Sequence, residues 1–118
     1  MDDQSNTPTP FPNKKDLGIQ LINKDGDIIP IPSLPVKIGR DEQVDIQLDD
    51  DSVSAAHALI FYDNRVQAVC IEDLRSLNGI YINGKPTYSN ILFDGVNITL
   101  GLEILTFRNV DFIPQNDE

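Results

Sequence analysis

The sequence predicts an all-β fold, an antiparallel β-sandwich with no substantial helix, and three observations carry that prediction. Short β-branched runs recur at close intervals, apolar and polar positions alternate in place of a sustained 3.6-residue stripe, and tight-turn dipeptides fall between the runs. In order the runs are Leu17 to Ile22, Asp27 to Ile31, Val36 to Ile38, Val44 to Leu48, His57 to Tyr62, Val66 to Ile71, Ile80 to Ile82, Val96 to Leu100 and Glu103 to Arg108. Alternation is plainest in Val44, Ile46, Leu48 and in Val96, Ile98, Leu100. Asp25-Gly26 and Asn83-Gly84 supply residues that tolerate the positive φ of hairpin turns, and Asp94-Gly95 precedes a further strand. Periodicity alone leaves a sandwich and a small barrel both open, and no internal repeat is visible.

The chain has 118 residues, enough for one domain with its own core and no disulfide or metal staple. Met1 to Asp16 mixes prolines 8, 10 and 12 with Ser, Thr, Asn and Asp, so residues 1–16 are expected to be a flexible tail. Pro114 to Glu118 has the same character, which leaves 17–113 as the folded unit. Nine Lys and Arg stand against 19 Asp and Glu, a net charge of −10 whose field repels a phosphate polymer, so nucleic acid is not an expected partner. The single cysteine, Cys70, lies in the apolar run Ala68 to Ile71 and reads as a small buried hydrophobe in a reducing compartment. No apolar stretch reaches membrane-spanning length and the start lacks the pattern of a secretory signal, so a cytoplasmic location is expected.

Ser54 and His57, three residues apart, offer a nucleophile and a base, with Asp73 or Cys70 as a third member. The chain lacks a G-x-S-x-G turn and any helix to build one, and it has a single histidine. Both residues are therefore expected to hydrogen-bond loop backbone, and no catalytic residue is assigned. Asn23, Asp25 and Asp27 imitate the start of a calcium loop, but the sixth position is Ile28 and the twelfth is Leu34, so neither metal nor cofactor is expected. Asp41 to Asp51 carries six carboxylates and no base and reads as a solvated loop. An anion bound near it needs close donors, and Arg40, next to Gly39 at the end of a strand, stands just outside it.

Taken together, GRDEQVDIQLDDDSVSAAHALI, IEDLRSLNGIYINGK and LFDGVNITLG resemble the forkhead-associated (FHA) domain family over roughly Leu17 to Phe112. The resemblance rests on the ordered set Gly39-Arg40, Ser54, His57, Ser76-x-Asn78-Gly79, Asp94-Gly95 and Gly101. It implies two packed sheets of about eleven strands, ligand loops at one end and both termini at the other. It also implies a non-enzymatic module that docks phosphothreonine-containing segments in kinase-linked signalling. By that resemblance Arg40 ligates the phosphate, Ser54 holds it through hydroxyl and backbone N–H, and Asn78 pairs with the ligand's main chain. Ala55, Arg75, Ser76 and Leu77 belong to the same binding loops, while Gly39, His57 and Gly79 support them. A guanidinium suits the leading role because its planar fork gives two parallel charge-assisted bonds to phosphate oxygens.

Three positions depart from the family pattern. Ala55 and Leu77 lack the hydrogen-bonding side chains common there, and Ile80 replaces a threonine. Arg75 is placed to compensate. The lost donors leave open an alternative function, a degenerate domain acting as a phosphate-independent scaffold. The tail adds one more expectation: Thr7-Pro8 and Thr9-Pro10, once phosphorylated, give a ligand for a neighbouring copy and hence self-association.

Overall fold

In the computed structural model, residues 18–110 are described, and the chain over that range forms eleven strands in two sheets. The two tails, 1–16 and 114–118, with Thr7 and Thr9, lie outside the described residues. The strands are β1 (Ile19–Ile22), β2 (Ile28–Pro30), β3 (Val36–Gly39), β4 (Ile46–Gln47), β5 (Ala58–Asp63), β6 (Ala68–Asp73), β7 (Ile80–Ile82), β8 (Lys85–Thr87), β9 (Ser89–Ile91), β10 (Asn97–Leu100) and β11 (Glu103–Asn109). A six-stranded sheet runs β2-β1-β11-β10-β7-β8 and a five-stranded sheet runs β4-β3-β5-β6-β9. The pairings are antiparallel, as expected, except that β3 and β4 run parallel. Among the described residues no helix is long and apolar enough to cross a membrane.

Period-two burial produces the core. Ile19 and Leu21 on β1, Ile98 and Leu100 on β10, and Leu105 and Phe107 on β11 face inward from one sheet. Ile38, Ala58, Ile60, Val69 and Ile71 meet them from the other, in a single apolar cluster. Interleaving two such faces removes apolar surface from water without leaving strand backbone unpaired, which is what a chain of this composition needs. Ile80, the departure from a family threonine, is only 1% exposed and belongs to that core.

Two strands, β8 and β9, are absent from the apolar runs. Each is an edge strand, each is mostly exposed, and β8 contains Pro86, so neither shows the alternation that a half-buried strand carries. The turn expectations hold in backbone geometry. Asn83 (φ 51°) and Gly84 (φ 83°) are both left-handed, and Ile82 pairs with Lys85 across a two-residue turn. Asp25-Gly26 sits in a longer loop, where Gly26 alone takes positive φ and its N–H bonds the Asn23 carbonyl. The Asn23 side-chain oxygen accepts the N–H groups of Asp25 and Asp27, so the imitation calcium loop is an internally bonded turn.

The two ends of the sandwich differ. At one, β1 begins beside the end of β11, with Ile19 opposite Asn109 and the Val110 N–H bonded to the Gly18 carbonyl. At the other, the loops β3–β4, β4–β5, β6–β7 and β10–β11 converge. The ends of the described chain thus lie away from the loops that hold the candidate residues.

Candidate functional site

The loops converge because backbone bonds lash them together. Arg40 N–H donates to the Ser54 carbonyl (2.9 Å), Asp41 N–H to the Ala55 carbonyl (3.1 Å), and His57 N–H to the Ile38 carbonyl (2.8 Å). Gly39 is needed for this approach: a Cβ there would lie 2.1 Å from the Ala55 carbonyl oxygen. The constraint on Gly39 is lack of space between two backbones.

His57 is the buried organiser, with no exposed surface. Its Nδ1 accepts the Ser54 N–H (3.0 Å), so Nε2 carries the proton and donates to the Gly79 carbonyl (2.8 Å). Both ring nitrogens are thereby committed, and neither can take a proton from the Ser54 hydroxyl. Asp73 binds Ser76 instead of His57, and burial pushes the Cys70 thiol up. The four residues weighed as a catalytic set do not assemble into one.

Arg40 is exposed, and its Nε donates to the Val53 carbonyl (2.9 Å). Although Asp41 and Glu42 follow it directly, Arg40 forms no ion pair among the described residues. The Asp41 carboxylate turns away to accept Gln43 N–H (3.0 Å). Ser54 lies beside Arg40, and its Oγ accepts Leu77 N–H (2.9 Å), a bond in which the hydroxyl proton takes no part. Its backbone N–H, which the resemblance assigned to the ligand, is donated to His57.

The β6–β7 loop shows two more differences from expectation. Ser76 is directed inward: its N–H and hydroxyl both donate to the Asp73 carboxylate, and its Oγ accepts Gly79 N–H (2.8 Å). It shapes the loop and presents no donor outward. Asn78 is exposed, with its Nδ2 donating to the Ser52 carbonyl (2.8 Å), so one amide N–H is used within the chain. Leu77 is 88% exposed on the loop tip, as the positional match requires. Arg75 is exposed and left-handed (φ 59°), a conformation an arginine adopts only when its surroundings impose it. Gly79 also has positive φ (76°), with nothing near its missing Cβ, so its requirement is conformational.

Sequence reasoning missed Asp50 and Ser52, which tie three loops together. The Asp50 carboxylate accepts the Ser52 hydroxyl and N–H, and these bonds hold its carboxyl below the usual range. Ser52 Oγ accepts Leu102 N–H (2.8 Å), its carbonyl holds Asn78, and Gly101 packs so closely that a Cβ would lie 2.3 Å from the Ser52 carbonyl oxygen. The available signal was Asp-x-Ser spacing, an Asx turn, hidden inside an acidic run read only as solvated.

Residues 36–101 match the family profile described as "FHA domain". The chain is 42% identical to an oxoglutarate dehydrogenase inhibitor of Corynebacterium jeikeium over 71 residues, 60% of this chain and 48% of that protein. It therefore spans about half the length of that relative. Mycobacterium tuberculosis EmbR, solved with a low-affinity phosphopeptide, superposes with a TM-score of 0.72 at 29% identity, covering 80% of this chain and 25% of that one. A chain from a structural and functional analysis of phosphothreonine-dependent FHA domain interactions superposes at 0.69 with 30% identity, covering 76% and 94%. The profile match alone spans more than half of the 118 residues, and the chain belongs to the FHA domain family.

Proposed function

We propose that this domain, extending over 17–113, is a non-catalytic module that docks a partner protein by binding a phosphothreonine-containing segment at the loop end, with Arg40 and Ser54 as the phosphate donors. Arg40 carries the reading. Its guanidinium is exposed, held by a neutral carbonyl and not neutralised by any described residue, although six carboxylates lie within the next eleven positions. A fixed, unpaired guanidinium beside a serine hydroxyl is a receptor for a dianionic phosphate, and its planar fork supplies two charge-assisted bonds. Asn78, bridging to Ser52, is placed to meet the ligand's main chain, and Arg75 extends the positive rim. Kinase-linked signalling in the cytoplasm fits this chemistry, because the domain reads a phosphate that another enzyme must attach.

The scaffold alternative draws on a specific observation: the Ser54 N–H, the Ser76 hydroxyl and one Asn78 N–H are used within the chain, and Leu77 offers no side-chain donor. Titrating one peptide with and without phosphate on its threonine separates the two. Phosphate-dependent binding is expected, with Arg40→Ala weakening it at least ~100-fold and leaving the melting temperature nearly unchanged. Equal binding of both peptides, or undiminished binding by folded Arg40→Ala, would remove phosphate recognition. Self-association through phosphorylated Thr7 or Thr9 is a separate proposal, and sedimentation of the phosphorylated chain with and without Arg40→Ala tests it.

A further inference from the structure

The chain holds the dipeptide Asn-Gly twice, at 78–79 in the β6–β7 loop and at 83–84 in the β7–β8 turn. Asparagine followed by glycine can react with itself, because a glycine nitrogen, unshielded by any Cβ of its own, reaches the asparagine Cγ and displaces its amide. Three groups control that step: the attacking N–H, the Oδ1 on which charge develops in the tetrahedral intermediate, and the departing Nδ2. The fold treats the two pairs in opposite ways.

In the loop pair the attacking and departing groups are both tied. Gly79 N–H donates to Ser76 Oγ (2.8 Å), and Asn78 Nδ2 donates to the Ser52 carbonyl (2.8 Å). The Gly79 carbonyl is held as well, by His57 Nε2 at 2.8 Å. Attack on Asn78 must first break these bonds. In the turn pair the remaining group is the one provided for: Asn83 Oδ1 accepts Asn97 N–H (2.9 Å), so a backbone donor already faces the oxygen that becomes negative. Asn83 and Gly84 are both exposed, and among the described residues neither Gly84 N–H nor Asn83 Nδ2 has a partner. Nothing lies within 4 Å of the position a Gly84 Cβ would take, so water reaches the nitrogen that must lose its proton.

We propose that Asn83 is a site of spontaneous covalent modification, deamidation through a succinimide, from which the Ser76 and Ser52 bonds shield Asn78. Water takes the Gly84 N–H proton, the nitrogen bonds to Asn83 Cγ, and the Cγ–Nδ2 bond breaks; the proton leaves with the amide as ammonia. One water molecule then opens the ring at either carbonyl, giving aspartate or isoaspartate with no change of oxidation state. Each product adds a negative charge to a chain of net charge −10. Isoaspartate also lengthens the main chain by one methylene, inside a two-residue turn that sets Ile82 opposite Lys85. The hairpin therefore records the age of the molecule, while the amide in the candidate binding loop is kept.

The test holds the full chain in mildly alkaline buffer, folded or in urea, and follows the mass change of amide to acid at each asparagine by fragmentation mass spectrometry. In the folded chain Asn83 is expected to convert at least about fivefold faster than Asn78, the ratio that one retained hydrogen bond sets. In urea the two should convert at similar rates. An unmodified Asn83 in the folded chain, or an Asn78 that keeps pace with it, overturns the proposal. So does the same ratio in urea, which would trace the difference to sequence neighbours and not to the fold. Ser76→Ala frees the Gly79 N–H, and it should raise the Asn78 rate while leaving that of Asn83 unchanged, with a thermal melt to show that the variant is folded. A folded Ser76→Ala chain whose Asn78 stays as slow as in the wild type removes the shield. Should that variant unfold, the folded and urea-held wild type decide the matter by themselves.

Discussion

Arg40 and Arg108 lie at opposite ends of the sandwich and differ in what holds them. Arg108 Nε donates to Asp94 Oδ1 at 2.8 Å, and the same oxygen accepts the Asn109 N–H. Arg40 has carboxylates at the next two positions in sequence and no ion pair among the described residues. Adjacency in sequence does not pair charges. The β3–β4 loop commits the Asp41 oxygen to Gln43 N–H and fixes Arg40 Nε on the Val53 carbonyl, whereas strand register brings Asp94 up to β11. An arginine paired within the chain has little to offer a ligand; one held by a neutral group keeps its charge for an outside anion.

The largest effect should come from the residue that holds the Arg40 end together. His57→Ala leaves the Ser54 N–H and the Gly79 carbonyl without partners around a fully buried void, and we expect a loss of about 3 kcal/mol in unfolding free energy. Urea unfolding measures it. A loss confined to phosphopeptide binding, with stability intact, would contradict a structural role for the ring.

A second experiment makes Arg40 resemble Arg108. Ala55 is exposed, and its carbonyl already accepts the N–H of Asp41, the residue after Arg40. Ala55→Asp should therefore supply the intramolecular carboxylate that Arg40 lacks, weakening phosphopeptide binding by roughly 10- to 100-fold with little change in melting temperature. Calorimetric titration beside a thermal melt reads both. Unchanged affinity would mean that the guanidinium is not the anion's anchor.

The smallest effect belongs to the far end. Arg108→Ala should leave phosphopeptide affinity unchanged and lower the melting temperature by at most a few degrees, because exposed pairs contribute little. The Asn109 N–H and then Arg108 hold the Asp94 carboxyl below its ordinary 3.8. A carboxyl depressed in the folded state contributes stability that is present above its ordinary value and lost as pH falls through the folded one. The melting-temperature gap between wild type and Arg108→Ala should therefore be full at neutral pH and close in acid well below 3.8. A gap that widened in acid would refute the pairing.

Much of this was legible before any coordinates. Nine strands were legible as apolar runs, eight of them burying at least one residue and β2, a mostly exposed edge strand, showing itself by its β-branched residues alone, and Asn83-Gly84 was legible because a two-residue turn needs positive φ at both positions. The strands β8 and β9 were not, since an exposed edge strand has no apolar face to display and β8 tolerates a proline. At the site, Arg40, Ser54, His57 and Asn78 were picked out by their resemblance to a family pattern. The inward commitment of Ser76 was not, although the Asp73 carboxylate that takes it lies only three residues earlier in the same loop.

Residue order alone determined the all-β class and the core face of most strands, while the sandwich and the short set of candidate donors came from the resemblance to the family pattern. The first two follow from local periodicity and turn stereochemistry, each a property of neighbouring residues. Tertiary structure decided how the candidate donors are used: the Ser54 N–H goes to His57, the Ser76 hydroxyl to Asp73, one Asn78 N–H to Ser52, while the Arg40 guanidinium meets no carboxylate among the described residues. Two of those four outcomes, the Asn78 bond to Ser52 and the hold of the Val53 carbonyl on Arg40, turn on loops far apart in sequence meeting at one end of the sandwich, whereas the other two join residues three apart within one loop.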